Sequence, residues 1–192
     1  MNKSREELIQ SVKAQMPERR WLHTEGVMAS SIALANRYGE NPERAELAAI
    51  LHDVAKYWPT ERMEAVIREQ RLPLELLEHD KSLWHAPVGA WVAEHEYGIA
   101  DKGILDAIRY HTSGRAGMTK LDKIVCLADY IEPSRDFPGV YAIRELSEQH
   151  LDKALIAGLD STISFLIKQG KRIFPMTIEA RNDLLLNGLG LR

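Results

Sequence analysis

The 192-residue chain has a single cysteine, no long apolar run and no recognisable signal segment. One cysteine, Cys126, excludes an intramolecular disulfide framework and favours a reducing compartment. A membrane-spanning helix needs about 20 apolar residues in succession, and no stretch approaches that length. No apolar run follows the N-terminal residues 1–7, as it would in a signal peptide. We therefore expect a cytoplasmic protein without a membrane segment.

The charge is also close to balanced, with 25 Lys and Arg against 28 Asp and Glu and a net charge of −3. A pI near 6.2 argues against a nucleic-acid-binding module. Apolar residues make up 45% and charged residues 28% of the chain, which argues against disorder. The length fits one domain, or two small ones, and is ample for a sizeable core.

The sequence shows no alternating strand pattern, no internal repeat and no low-complexity linker, whereas helical periodicity runs through most of it. Ser4 and Glu7 form a candidate capping box at the start of a helix. Gly39 is placed to end a second helix over about 18–38. Asn41 and Pro42 are a start signal for an apolar helix that continues past His52. A long helix is expected over about 141–169. We predict an all-α, compact, bundle-like fold.

The dipeptide His52-Asp53 is the first candidate for chemistry, because it lies in the most apolar helix of the chain. Burying both groups there costs several kcal/mol unless something compensates. A metal ion would compensate both together, since imidazole and carboxylate are good ligands. The other such pair, His79-Asp80, lies in a polar stretch and is therefore the weaker candidate for a functional site.

A metal ion needs further ligands, and His23 and Asp129 are candidates on two other helices. Each also has a simpler interpretation. His23 could be a core histidine satisfied by hydrogen bonds, and Asp129 could be a salt-bridge partner. Together with His52 and Asp53 they form a plausible set of two imidazoles and two carboxylates.

Five segments, in this order, resemble successive blocks of a bacterial family: residues 20–24 (RWLHT), 51–56 (LHDVAK), 84–90 (WHAPVGA), 107–114 (AIRYHTSG) and 128–135 (ADYIEPSR). The family is that of the HD-domain symmetrical bis(5′-nucleosyl)-tetraphosphatases, and the match extends over about residues 18–183. Ser113 stands where the family more often has threonine, and both residues carry a hydroxyl. The resemblance implies a single HD domain over 1–192, with a core at about 18–135 and C-terminal helices at about 141–187 packed on it.

The resemblance adds His85 and His111 to the ligand set and makes the site dinuclear, with Asp53 as the bridging ligand. It implies that a hydroxide bridging two metal ions attacks diadenosine tetraphosphate and releases two ADP. The metals implied are two iron ions, with manganese or another first-row metal as alternatives. The implied partners are a dinucleoside polyphosphate substrate and a nucleoside diphosphate product, without nucleic acid or membrane, and a homodimer is left open.

A tetraphosphate also requires cations, and four basic residues lie near the predicted ligands in sequence: Arg20, Lys56, Arg115 and Arg135. Lys56 follows Asp53 by three residues and Arg20 precedes His23 by three, so each lies about one helical turn from a ligand. A surface lysine or arginine without a role in binding is the alternative for each. Trp58 and Trp84 are candidates for the nucleoside pocket, but no sequence feature identifies the base contact.

Two other functions remain open at this stage. The first is a different HD phosphohydrolase, acting as a nucleotidase or on alarmone pyrophosphates. The second is a non-catalytic nucleotide-binding regulator, which is disfavoured because all six candidate ligand positions are occupied by suitable residues.

Overall fold

The computed structural model describes residues 4–188, and within that range it contains helices and turns but no strand. The α-helices are α1 (Arg5–Lys13), α2 (Glu18–Tyr38), α3 (Pro42–Leu51), α4 (Thr60–Glu69), α5 (His85–His95), α6 (Lys102–Tyr110), α7 (Lys120–Ile131), α8 (Val140–Ser147), α9 (Leu151–Lys168) and α10 (Pro175–Asp183). Short 3₁₀ helices span Leu74–Glu78 and Lys81–Leu83, and a π-helical turn spans Leu184–Gly188. The all-α prediction is confirmed. Among these helices none combines the length and apolar character needed to cross a membrane.

The helix starts follow from local capping chemistry. Ser4 and Glu7 form the predicted capping box at α1, and Thr119 with Asp122 forms another at α7. The side chain of Asn41 accepts hydrogen bonds from the second and third residues of α3, as the sequence predicts. Gly39 ends α2 with φ +66°, a backbone conformation that favours glycine.

The centre of the molecule is formed by α2, α3, α6 and α7, with α5 packed on α6 and α9 packed on α7. On α3, Ala45, Ala48 and Ala49 are fully buried, and these small side chains allow neighbouring helices to approach closely. The apolar packing therefore surrounds the C-terminal end of α3, where His52 and Asp53 follow.

The expected continuation of α3 through His52 and Asp53 is wrong. The helix ends at Leu51, and the chain continues in tight turns in which Val54 N donates to Leu51 O and Lys56 N donates to Asp53 O. These bonds span three residues instead of the four of an α-helix. The helix thus stops where two polar side chains must both face the interior.

The long helix expected over 141–169 is also wrong, because α8 and α9 are separate. Tertiary contacts interrupt the pattern: Tyr38 Oη donates to Ser147 O at 2.7 Å, and an Arg37 guanidinium nitrogen donates to Glu148 O at 2.9 Å. His150 is extended, with φ −156°, and caps α9. No proline or glycine marks this break in the sequence.

Candidate metal centre

The structure brings all six predicted ligands together at the meeting point of five helices. His23 lies on α2, His52 and Asp53 follow α3, His85 is the first residue of α5, His111 follows α6, and Asp129 lies on α7. All are buried except Asp129, which is partly exposed. The convergence agrees with the sequence prediction, and their role as ligands stays a prediction.

Asp53 lies at the centre of this cluster, and its two carboxylate oxygens face different histidines. Oδ2 is 3.0 Å from His52 Nε2 and 3.7 Å from His23 Nε2. Oδ1 is 3.0 Å from His85 Nε2 and 3.9 Å from His111 Nε2. The arrangement has two halves joined by one carboxylate, and the bridging role implied for Asp53 stays a prediction.

Three of the four imidazole rings are held by their Nδ1 atoms, so that Nε2 faces the cluster. His52 Nδ1 donates to Ala49 O at 2.6 Å, and His111 Nδ1 donates to Ile108 O at 2.8 Å. His23 Nδ1 lies 2.9 Å from Glu132 Oε1. Because these oxygens only accept, the proton is on Nδ1 and the lone pair of Nε2 is available to a metal.

Burial affects the protonation of the histidines. Burial lowers the pKa of His85. For His111, burial and the nearby charge of His52 both act in the same direction and bring the pKa well below its usual value. Burial also acts against protonation of His52, but the adjacent Asp53 carboxylate outweighs it and raises the pKa of His52. Asp53 therefore favours a positive charge beside it, and a metal ion can supply that charge in place of the proton on His52.

The carboxylates of Asp53 and Asp129 remain ionised although burial opposes their ionisation. Burial opposes the ionisation of Asp53, yet His52 holds the pKa of the Asp53 carboxyl well below its usual range. Burial likewise opposes the ionisation of Asp129, and His23 and Arg135 hold the pKa of its carboxyl well below the usual range. Carboxylates and neutral imidazoles are the forms that bind metals.

The cluster fits a metal because several of its polar atoms lack ordinary partners. Among the described residues, Nε2 of His23 and of His52 and both carboxylate oxygens of Asp53 are buried without a hydrogen bond. One group of atoms able to hold an ion comprises His23, His52 and Asp129, and another comprises His52, Asp53 and His111. Mixed imidazole and carboxylate ligands suit first-row metals.

Three of the four predicted phosphate-binding cations also contact the cluster. The guanidinium of Arg20 pairs with Asp53 Oδ2, and that of Arg135 pairs with Asp129 Oδ1. Lys56 Nζ is 3.3 Å from both ring nitrogens of His85. Arg115 lies elsewhere, because its guanidinium pairs with Asp122 at 2.8 Å and with Asp106 at 3.2 Å.

The two tryptophans considered for the nucleoside pocket are packed into the fold. Trp58 is buried, with the Arg62 guanidinium 3.2 Å from its ring centroid. Trp84 is buried and its Nε1 donates to Leu76 O at 2.7 Å. His79, of the second His-Asp pair, is outside the cluster and contacts the ring of Phe174.

Glu132 is a residue of this site that the sequence reasoning missed. It is buried, and besides its contact with His23 it accepts hydrogen bonds from the Ser134 backbone at 2.7 Å and the Ser134 hydroxyl at 2.5 Å. A Cβ at Gly26 would lie 2.6 Å from Glu132 Oε2, so the glycine leaves room for this carboxylate. The sequence feature that could have identified Glu132 is its position three residues after Asp129, at the end of an apolar helix.

Replacing Glu132 with glutamine is expected to lower metal affinity by about 10–100-fold, the usual cost of losing a partner that orients a ligand. The amide can donate to Nδ1 of His23, so the ring is no longer held in one tautomer. Metal affinity is measured by chelator competition, and the tautomer by ¹⁵N NMR of the imidazoles. Glu145→Gln, at an exposed site on α8, is the control. Unchanged affinity and an unchanged tautomer would contradict the assignment.

Comparison with known proteins gives consistent matches. Residues 20–134 match the family model described as HD domain. The chain is 50% identical over 182 residues to a Bacillus subtilis (strain 168) protein named bis(5′-nucleosyl)-tetraphosphatase, symmetrical, covering 95% of this chain and 98% of that one. A protein of the same name from Halalkalibacterium halodurans is 45% identical over 183 residues, with 95% and 98% covered. A crystal structure from Clostridium acetobutylicum, described as that of a predicted HD superfamily hydrolase involved in NAD metabolism, superposes with a TM-score of 0.91 at 37% identity. The match covers 95% of this chain and 97% of that one.

Proposed function

The chain belongs to the HD-domain family and, within it, to the symmetrical bis(5′-nucleosyl)-tetraphosphatases, and on that premise we propose that it hydrolyses diadenosine tetraphosphate to two ADP. The observation that carries this proposal is the six-residue cluster around Asp53, with cationic side chains in contact with it. Phosphoryl transfer requires charge neutralisation and a positioned nucleophile, and such a cluster is suited to both.

The residues divide into two candidate ligand groups that share Asp53. His23 and His52 lie at Asp53 Oδ2 with Asp129 beside His23, and His85 and His111 lie at Asp53 Oδ1. When bound there, metal ions supply Lewis-acid polarisation of the phosphoryl group and lower the pKa of water. We propose iron as the native metal, supported by the imidazole-rich donor set and the family resemblance, with manganese as the alternative.

The cations of the chain recognise the polyphosphate. Lys56 presents a compact charge beside His85, and Arg20 and Arg135 each present a planar guanidinium that can bind phosphate through two hydrogen bonds. These three groups lie against the carboxylates and imidazoles of the cluster, so a phosphate held there is within their reach. Arg115 is retained as a more distant candidate.

We propose that the phosphate next to the cluster is an inner one. Because Lys56 and the two arginines can bind the neighbouring phosphate, the nucleoside diphosphate half is the part recognised best, and the leaving group is then a second nucleoside diphosphate. The buried thiol of Cys126 fits a reducing environment, so the cytoplasm is the proposed location. A homodimer is the alternative to a monomer.

Product analysis tests the proposed function directly. Protein supplied with Fe²⁺ or Mn²⁺ is incubated with diadenosine tetraphosphate in ¹⁸O-labelled water, and a matched sample contains excess chelator. Two ADP per substrate, with ¹⁸O in one ADP and no turnover with chelator, is the expected result. ATP and AMP as the main products would contradict the symmetrical cut. Hydrolysis of nucleoside monophosphates or alarmones in preference to the dinucleotide would favour one of the other HD activities.

A further inference from the structure

We propose that an apolar cleft beside the candidate metal centre holds the base of one substrate nucleoside. This inference rests on the proposed function. The cleft has a cavity volume of about 60 Å³ and opens to solvent at its mouth, and its walls come from five elements. They include Leu76 and Leu83 from the 3₁₀ segments, Pro87 on α5, Tyr110 on α6, and Phe174 with Met176 at the start of α10.

The cleft adjoins the cluster through the residues that follow two of the predicted ligands. Ala86 and Pro87 follow His85, and Thr112 and Ser113 follow His111; all four line the cleft. Consecutive Cα atoms are about 3.8 Å apart, so this wall begins one or two such steps from the histidines. Thr112 Oγ1 is 3.1 Å from Nε2 of His111. A nucleotide with a phosphate at the cluster can therefore extend its ribose and base into the cleft.

The lining has the chemistry of a base site. Aromatic and apolar side chains form most of it, with few polar groups, as in most small-molecule sites. Two arginines lie near the Tyr110 ring, with Arg115 at 4.5 Å and Arg109 at 6.0 Å from the ring centroid. Bases stack on such aromatic and guanidinium surfaces. The surface changes from charged at the cluster to apolar in the cleft. A nucleotide changes in the same order, from its charged phosphates to its aromatic base.

Buried contacts fix the walls of the cleft. The ring of Phe174 packs edge to face on His79, with centroids 5.0 Å apart. The hydrogen bond from Trp84 Nε1 holds the carbonyl of Leu76. Gly114 has φ +66°, and a Cβ there would lie 2.8 Å from Ala180 Cβ, so glycine at this turn allows α10 to approach. A rigid, preformed site binds its ligand at a lower entropic cost.

A second cavity on the surface is a weaker candidate for the base. It is lined by Tyr38, Lys120, Lys123, Gln149, His150, Leu151 and Asp152. None of these residues is adjacent in sequence to a predicted ligand, and Lys123 is already paired with Asp152 at 2.7 Å.

Kinetics of two lining variants test the proposal in the metal-loaded enzyme. Phe174→Ala should raise KM for diadenosine tetraphosphate by about 10-fold or more, the size expected for loss of one aromatic stacking partner. Met176→Ala should raise KM by a smaller factor through lost apolar contact, and kcat should change little in both variants. Inhibition by ADP should weaken by a similar factor, whereas inhibition by pyrophosphate, which has no base, should stay the same. Phe165→Ala, at an exposed aromatic on α9, is the matched control.

A second measurement covers the case in which the buried Phe174 is needed for folding. The wild-type enzyme is photolabelled with 8-azido-ADP, and the adducts are mapped by mass spectrometry. Adducts within 73–87, 109–113 or 173–176 are expected. Labelling elsewhere, or variants with unchanged KM and unchanged ADP inhibition, would overturn the cleft assignment while symmetrical hydrolysis persists. If the wild type fails to hydrolyse the dinucleotide, the proposed function fails instead.

Discussion

Asp53→Ala is expected to abolish hydrolysis of diadenosine tetraphosphate and to reduce the metal content of the protein. The carboxylate lies between two sets of histidines, with one oxygen 3.0 Å from His52 and the other 3.0 Å from His85. Removing it leaves each half of the cluster without the shared anion that balances its cations, so both halves should bind metal more weakly. Steady-state rates and elemental analysis of the purified protein measure the two effects.

The fold should survive this change, because most of the buried surface is apolar and is distributed over helices throughout the fold. Circular dichroism and thermal unfolding check that point, and Asp53→Asn provides a variant of nearly the same shape without the charge. Asp160→Ala is the matched control, since that partly exposed aspartate on α9 pairs only with a surface arginine, Arg181, among the described residues. A near-normal rate with full metal content in Asp53→Ala would contradict the bridging role.

Much of the fold was predictable because helix boundaries are set by local chemistry. The capping residues Ser4, Asn41 and Thr119 satisfy backbone donors of their own helices, so the signal lies within a few residues. The predicted bounds of α2, from about 18 to 38, agree with Glu18–Tyr38, and its end is also set locally, by Gly39 with φ +66°. The break between α8 and α9 depends instead on contacts from Arg37 and Tyr38, about 110 residues earlier, which local patterns do not contain.

The candidate site divides in a similar way. His52 and Asp53 were recognisable because two polar residues in an apolar segment need a compensating partner. His85 and His111 were identified only through the family resemblance, since the segments around them are unremarkable in isolation. Glu132 was missed because its role appears only when Gly26 on α2 makes space for it. The apolar cleft was missed because its walls come from segments spread between residues 73 and 176.

Lys56 is one of three basic side chains in contact with the cluster, and it lies beside His85. It is partly buried, and burial lowers the pKa of its ammonium group despite the carboxylate of Asp53 nearby. Its Nζ lies 3.3 Å from the imidazole nitrogens of His85, and the hydrogen bond from Lys56 N to Asp53 O fixes its backbone in the turn after α3. A cation held in this way needs little reorganisation to meet charge that develops in a transition state.

Lys56→Ala should therefore lower kcat for diadenosine tetraphosphate by about 10²–10³-fold, as for other preorganised electrostatic groups. Metal content should be unchanged, because an ammonium ion is not a ligand, and Lys56→Arg should recover part of the rate by restoring the charge. Lys123→Ala is the matched control, since that lysine pairs with Asp152 at 2.7 Å away from the cluster. Rates at saturating substrate, with elemental analysis of each variant, separate the effects. A fully active Lys56→Ala enzyme would remove Lys56 from the mechanism without affecting the ligand assignment, whereas loss of metal in that variant would mean that the residue acts by holding His85 in place.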